Sequence, residues 1–142
     1  MSRYERGAAR IRELDGEDPS RRHEAYAALA RIAPDLPRFA VEFAYGDIHS
    51  RPGLDPARRE LVILGVLVGL GDTRQQLASH LRSALNVGLT RDELVEAVLQ
   101  TLPYAGFPRA INAMEVLSGI GPPAQVTSAA QPPHRERTAT PG

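Results

Sequence analysis

The sequence contains no cysteine and no tryptophan, and aromatic residues make up only 5% of it. Without cysteine, disulfides, thiolate nucleophiles, thiol redox chemistry and cysteine metal sites are excluded. The formal net charge is zero, so no basic excess directs the protein to nucleic acid or to an anionic membrane. The chemistry that remains open uses neither a thiol nor a nucleic-acid partner.

Long apolar runs are also missing. The longest, Leu61 to Leu70, has ten residues, about half the length that spans a membrane, and it therefore predicts a buried helix. The first residues, MSRYERGAARIRELDG, are charged and lack the apolar core of a signal peptide. We therefore expect a cytoplasmic protein with no membrane partner.

Strict alternation of apolar and polar residues, the pattern of a half-buried strand, is absent as well. Alanine, leucine and arginine dominate, and all three favour helices. We predict one all-α domain over residues 1–120. From residue 121 the chain holds five of its twelve prolines and no aromatic residue, which predicts a disordered tail over 121–142.

Capping residues and turn residues divide this domain into seven predicted helices. Asp18-Pro19 and Asp55-Pro56 each place an N-cap before a proline at the first helical position, and Thr90-x-x-Glu93 has the spacing of a capping box. Gly71-Asp72 is expected to end one helix and cap the next. The predicted helices are 3–14, 20–32, 36–47, 56–70, 73–87, a sixth that Pro103 kinks or ends, and 108–117. Residues expected to point inward include Leu29, Ile32, Phe39 and Phe43.

The fourth predicted helix is apolar nearly all round after Glu60, which is typical of a helix buried on more than one side. Gly65 and Gly69 each cost about 1 kcal/mol relative to alanine in a helix. Close approach of another backbone would compensate for that cost. Such central burial in a chain of 142 residues suggests an oligomer.

His80 is the first candidate for chemistry, because it lies on a helix face otherwise made of Leu77, Leu81 and Ala84. It is either a core histidine satisfied by a neighbour or a general acid/base, since only imidazole titrates near neutral pH without help. Glu60 is either a first-turn acid that complements the helix dipole or the carboxylate that supports a charged His80.

Other polar residues have weaker signals. Gln76 lies four residues before His80 and shares its helix face, and Tyr104 follows the proline kink. Arginines Arg58, Arg59 and Arg109 are either substrate-carboxylate clamps or surface residues. Asn112 falls on the apolar stripe of the last helix and needs a partner if it is buried.

The other histidines, His23, His49 and His134, show no metal-ligand spacing with each other or with His80. We therefore predict no metal site. From its residues alone, the sequence predicts an all-α domain with one unusual histidine and does not specify a reaction.

Two stretches resemble the carboxymuconolactone decarboxylase family: ELVILGVLVGLGDTRQQLASHLRSALNVGLTRDELVEAVLQTLPYAGFPRAINAM and, before it, YGDIHSRPGLD. The similarity covers residues 43–117. It implies an AhpD-like helical bundle with a core helical hairpin, assembled as a homo-oligomeric ring, commonly a trimer or hexamer. Sites in this family lie in pockets between helices near subunit boundaries.

The family has two chemical branches. The thiol branch uses a Cys-x-x-Cys-x-x-x-His motif, and here Thr73 and Gln76 replace those cysteines before His80, so this branch is excluded. The other branch decarboxylates a carboxylated muconolactone without a cofactor. By resemblance, His80 matches the functional histidine, and Glu60 matches a proton-relay glutamate of the thiol branch.

The resemblance also implies substrate-binding positions. His49 stands where the lactone enzymes tend to have an aromatic residue, and Arg109 replaces a small residue. We therefore expect a cofactor-free decarboxylase of a carboxylated lactone or enolisable acid, with His80 and Glu60 catalytic. Residues expected to bind the substrate are His49, Arg59, Gln76, Tyr104 and Arg109.

Two alternatives stay open at this point. One is an isomerase, cyclase or dehydratase acting on a polyketide-like intermediate with the same acid/base groups. The other is an oligomeric ligand-binding protein without catalysis. Release of CO₂ separates the first interpretation from both alternatives.

Overall fold

The computed structural model describes residues 1–121, and over that range the chain is helical with no strand. The predicted tail lies outside the described residues, apart from Gly121. The elements are α1 (Arg3–Asp15), α2 (Ser20–Ala30), α3 (Asp35–Phe39), a π-helical segment (Ala40–His49), α4 (Pro56–Leu70), α5 (Arg74–Asn86), α6 (Arg91–Ala105) and α7 (Phe107–Ser118). The all-α prediction is confirmed.

Two predicted helix starts, at Asp55 and at Thr90, are confirmed, whereas Asp18 does not cap α2, whose N-cap is Pro19 without a side-chain hydrogen bond. The carboxylate of Asp55 accepts a hydrogen bond from the backbone N–H of Arg58 at the start of α4. At the start of α6, Thr90 and Glu93 form the reciprocal capping box. These groups satisfy N–H donors that have no partner inside the helix, which fixes where each helix begins.

Other predicted boundaries differ from the structure. Pro103 does not end α6, which continues to Ala105 and ends at Gly106 with φ 87°; the alternative, a kink at Pro103, stays a prediction. A proline so close to the C-terminal end removes one hydrogen bond there, while the buried Leu94 and Val98 hold the helix against the core. Asp72 does not cap α5; it adopts φ 53°, and Thr73 precedes the helix instead.

The predicted second helix ends at Ala30, two residues before its expected end. The N–H groups of Arg31 and Ile32 donate to carbonyls three residues back, at Ala28 and Leu29, which tightens the chain into a turn. Leu29 and Ile32 are 41% and 87% exposed. The expectation that they point into this chain's core is therefore wrong.

The predicted third helix is not a regular α-helix. After Phe39 the backbone widens into the π segment, which buries Val41, Tyr45 and His49 and leaves Phe39 and Phe43 more than half exposed. The inward prediction for the two phenylalanines is thus wrong, because wider turns change which residues share a face.

Glycine determines how α1 meets the π segment. A Cβ added to Gly7 would lie 1.9 Å from the carbonyl oxygen of Val41, and one on Gly46 would lie 2.3 Å from that of Arg3. The two backbones therefore touch, and the face carrying Val41 turns inward. This contact anchors the segment that ends at His49.

The main core lies among α4, α5, α6 and α7. Its most deeply buried members are Leu64, Val68, Leu81, Ala84, Leu94, Val98, Ala113 and Leu117. Because three residues join α4 to α5, the two helices form an antiparallel hairpin. That hairpin sets the register between Glu60 and His80.

The outer face of α4 remains uncovered in the single chain. Val62, Val66 and Leu70 are 60%, 55% and 63% exposed. A Cβ on Gly65 or Gly69 would meet no atom within 4 Å, so the predicted close backbone approach does not come from this chain. No helix within residues 1–121 has both the length and the apolar character needed to cross a membrane.

Candidate active site

Three residues from three elements meet in the interior. His49 ends the π segment, Glu60 lies in the second turn of α4, and His80 lies in the middle of α5. Nε2 of His49 is 3.0 Å from Oε1 of Glu60, and Nδ1 of His80 is 2.8 Å from Oε2 of the same carboxylate. Glu60 has no exposed surface, and the side chains of His49 and His80 are 4% and 16% exposed. One buried carboxylate therefore bridges two imidazoles.

The bridge determines which imidazole nitrogens carry a proton in this site. An ionised carboxylate only accepts hydrogen bonds, so Nε2 of His49 and Nδ1 of His80 are both the donors. Burial by itself would raise the pKa of Glu60, but the hydrogen bonds from His49 and His80 and the positive potential of His80 lower this pKa below its ordinary value. Glu60 is consequently an anion at neutral pH.

This arrangement leaves one reactive position. His80 binds Glu60 through Nδ1, so its Nε2 lies on the opposite edge of the ring. Of the three side chains, His80 is the one with appreciable exposure. A neutral ring accepts a proton at Nε2, and the charged ring donates it while Glu60 stabilises the imidazolium. His80 therefore has the geometry of a general acid/base.

A second buried polar cluster lies beside the first. Arg22 on α2 forms a salt bridge of 2.7 Å with Asp15, contacts the hydroxyl of Tyr45, and donates to Ser83 over 3.3 Å. The Tyr45 ring lies 6.0 Å from that of His49, and its burial raises the pKa of the phenol. Tyr45 therefore stays neutral and joins the two clusters.

Sequence reasoning missed this second cluster. Its members come from four elements, and Arg22 and Ser83 alone are separated by 61 residues, so no spacing in the sequence marks them. Nothing in the sequence distinguishes Arg22 from the arginines that lie on the surface.

The remaining predicted residues are not brought to His80 in the same way. The guanidinium of Arg59 donates to the backbone carbonyls of Leu54 and Arg51, and Arg58 pairs with Asp55. Gln76 is exposed one turn before His80. Asn112 is exposed as well, so its amide does not need a partner inside the chain.

Tyr104 and Arg109 line a separate groove of about 500 Å³ with Gly65 and Gly69. Nε of Arg109 lies 2.9 Å from the position of a Cβ on Gly71. Gly71 and Glu60 are separated by roughly 16 Å along the helix axis, given 1.5 Å per residue. Arg109 therefore lies near the C-terminal end of α4, whereas Glu60 lies near the N-terminal end of that helix.

A metal centre finds no support in this site. Across the part of the chain that the structure describes, no three histidine, aspartate or glutamate side chains are arranged to hold a metal ion. In the buried triad, both imidazole nitrogens that face the carboxylate are used in hydrogen bonds to it.

Residues 34–118 match the sequence pattern of the carboxymuconolactone decarboxylase family. The chain belongs to this family. The match covers more than half of the 142 residues and includes all three members of the buried triad, so the predicted resemblance is confirmed.

Two proteins that are similar to this chain are named as decarboxylases. The chain is 38% identical over 118 residues to 4-carboxymuconolactone decarboxylase of Acinetobacter baylyi, which covers 83% of this chain and 86% of that protein. It is 43% identical over 76 residues to nitrosuccinic acid decarboxylase npaB of Metarhizium robertsii, covering 54% of this chain and 52% of that protein.

Proposed function

We propose that this protein releases CO₂ from a small carboxylated lactone or a related acid, with His80 as the general acid. The predicted enzyme class, a carbon–carbon lyase of this family, is confirmed at that level by the two decarboxylase relatives. The observation that carries the proposal is the 2.8 Å contact between Nδ1 of His80 and the buried carboxylate of Glu60.

The names of the two relatives indicate what their substrates share. One is a carboxylated unsaturated lactone and the other a nitro-substituted dicarboxylic acid. In each, a conjugated carbonyl or a nitro group can hold the negative charge left when CO₂ departs. We infer that the substrate of this protein also carries its own electron acceptor, so that the protein itself has to supply mainly position and a proton.

The proposed step is balanced within the substrate and His80. The bond between the carboxylate carbon and the substrate carbon breaks, and its electron pair moves into the conjugated acceptor as CO₂ leaves. Nε2 of the His80 imidazolium then gives its proton to the carbanionic carbon or to the enolate oxygen. Nε2 takes up a proton from the solvent before the next turnover, so each turnover consumes one proton overall.

Glu60 supports this step through its charge. The imidazolium of His80 is stabilised by the anion at Nδ1, and the hydrogen bond orients the ring so that Nε2 faces outward. Because Glu60 is fully buried, its interaction with His80 is screened little by solvent. A neutral or misplaced group at position 60 would remove both effects.

The substrate carboxylate needs a donor near Nε2 of His80. Gln76 lies one turn before His80 on the same helix, and Arg59 follows Arg58 directly before Glu60. Two of the five N–H groups of the Arg59 guanidinium already donate to backbone carbonyls, which holds this side chain on the loop before α4 and leaves three N–H groups for a substrate. We propose Gln76 as the nearer contact. Arg109 and Tyr104 would contact a substrate of another copy of the chain.

A homo-oligomer fits the exposed surface of α4. The exposed residues Val62, Val66 and Leu70, together with the groove at Gly65 and Gly69, form an apolar face that a second copy would cover. Such a face is expensive to leave in water. We propose that copies associate through it, which would place Tyr104 and Arg109 at a subunit boundary.

The test is CO₂ release from 4-carboxymuconolactone and from nitrosuccinate. We expect turnover of at least one, and His80→Gln is expected to lower kcat by about 10²–10⁴-fold, the usual contribution of a general acid. His23→Gln, at an exposed histidine, is the matched control and should retain full activity. Unchanged turnover in H80Q would disprove the mechanism.

Other results would assign one of the alternatives. Conversion of a substrate without CO₂ would identify an isomerase, cyclase or dehydratase. If a ligand binds without being converted, and if H80Q does not change the pH dependence of that binding, the protein is a ligand-binding protein.

A further inference from the structure

His49 does not have the environment of a substrate-binding residue. Its side chain is 4% exposed, and its Nε2 is committed to Oε1 of Glu60. Its other nitrogen, Nδ1, is buried and has no hydrogen-bond partner among the described residues. His80 has the only open ring edge of the triad, so His49 reaches a substrate only through Glu60.

We propose that His49 is a positioning residue. As a neutral hydrogen-bond donor, His49 fixes the Glu60 carboxylate, so that Oε2 of Glu60 stays on Nδ1 of His80. This inference rests on the proposed role of His80 as the acid. It assigns the two histidines different tasks: His80 carries the proton that is transferred, and His49 holds the carboxylate that supports His80.

The geometry explains why the carboxylate needs a second contact. The terminal torsion of a glutamate is broad and roughly two-fold, so a single hydrogen bond leaves the carboxylate plane free to turn. His49 binds the oxygen that His80 does not, and it comes from a different element. With both oxygens held, the plane is fixed, and the His80 ring is fixed with it.

The unpaired Nδ1 of His49 explains why this residue acts as a neutral donor. In the neutral ring with the proton on Nε2, Nδ1 is a bare acceptor. Protonation would add a second N–H in a buried position that offers no acceptor, which is unfavourable. A neutral His49 leaves the whole negative charge of Glu60 available to the imidazolium of His80.

The surroundings of His49 are consistent with a fixed position. The titratable and charged groups near its ring are Glu60 on α4, His80 on α5 beyond the carboxylate, Tyr45 on the π segment, and Arg22 on α2 behind Tyr45. Tyr45 is held at both ends, since Arg22 contacts its hydroxyl and Ser50 donates to its carbonyl over 2.6 Å. The ring of His49 therefore packs against a fixed neighbour.

The experiment compares His49→Phe, which keeps a ring without a donor, with His49→Gln, whose amide N–H can replace Nε2–H. The first readout is the tautomer of His80 in the ligand-free full chain, from its ¹⁵N chemical shifts. We expect wild type and H49Q to show one tautomer, with the proton on Nδ1, and H49F to show a mixture. The second readout is kinetic: in H49F kcat should fall about tenfold to a hundredfold, as expected for a misplaced catalytic group, with KM unchanged.

Two results would overturn the proposal. One is an H49F protein in which His80 keeps the wild-type tautomer. The other is an H49Q protein that behaves like H49F, since a neutral donor would then not suffice. If H49F does not fold, as judged by circular dichroism, His49→Met takes its place. The tautomer is measured without substrate, so this test remains valid even if the wild-type protein releases no CO₂ from any compound tried.

Discussion

Glu60 and His80 are twenty residues apart in the sequence, yet Oε2 of Glu60 lies 2.8 Å from Nδ1 of His80. The antiparallel hairpin of α4 and α5 produces this pairing, because three residues join the helices and place the two side chains at the same level. The contact is buried and charge-assisted, the kind that contributes most to both stability and the orientation of a ring. It is the central feature of the site.

Replacing Glu60 by glutamine should damage both the fold and the activity. A glutamine amide has one acceptor oxygen and one N–H₂ group, so it cannot accept from two N–H donors as the carboxylate does. We expect a loss of about 1–3 kcal/mol in the free energy of unfolding and a fall of about 10²-fold in kcat. Urea unfolding and CO₂ release measure the two effects. Glu96→Gln, at an exposed position on α6, is the control, and equal behaviour of the two variants would contradict the proposed role.

The stability contributed by Glu60 should depend on pH with a defined sign. The hydrogen bonds from His49 and His80 outweigh burial and lower the pKa of Glu60 below 4.5 in the folded chain. The unfolded chain therefore binds this proton more readily, so the contribution is complete above about pH 4.5 and is lost as pH falls through the lower, folded value.

This pH dependence is isolated by comparing wild type with E60Q. The pKa values of Asp47 and Asp55 are also lowered, but both residues are present in both proteins. The difference in free energy of unfolding between the two proteins should shrink as the pH falls below about 4.5. A difference that grows on acidification would show that Glu60 is protonated in the folded chain.

Two glycine-to-alanine changes should have opposite effects on stability. A Cβ on Gly7 would lie 1.9 Å from a backbone carbonyl, so Gly7→Ala should destabilise the protein by about 3 kcal/mol through overpacking. A Cβ on Gly65 would meet no atom within 4 Å, so Gly65→Ala should stabilise α4 by about 0.5–1 kcal/mol. Urea unfolding of the two variants at low protein concentration tests both signs. Destabilisation by G65A would mean that another copy of the chain contacts Gly65 closely.

The sequence predicted the features that depend on neighbouring residues. The caps at Asp55 and Thr90 and the helix end at Gly71 are local signals, and each of them is found in the structure. His80 and Glu60 could be singled out because a polar residue on an apolar helix can be recognised from the sequence alone. The family resemblance rested on the same stretch and is confirmed.

Features that depend on distant contacts were not predictable in this way. The π segment packs where Gly7 of α1 meets Val41, and His49 faces inward through this packing and its contact with Glu60, both between residues distant in sequence. Phe39, Phe43 and Ile32 are as apolar as core residues but are exposed in the single chain. Periodicity indicates that a face is apolar, whereas it does not indicate whether the same chain covers it.

That distinction leads to a prediction about the outer face of α4. Val66 is 55% exposed and lies between Val62 and Leu70, which are also exposed. If a second copy covers this face, Val66→Glu places a charge in a desolvated apolar contact, which is strongly unfavourable. We expect light scattering to show wild type as an assembly and V66E near 15.4 kDa, the mass of one chain. Gln75→Glu adds the same charge at an exposed position on α5 and should leave the assembly intact.

CO₂ release measured beside the mass separates two roles of the interface. A monomeric V66E that keeps its kcat would show that each chain holds a complete site. A loss of kcat, with the fold preserved, would show that residues of a second copy, such as Tyr104 and Arg109, complete it. A wild-type protein that is monomeric at micromolar concentration would contradict the proposed oligomer.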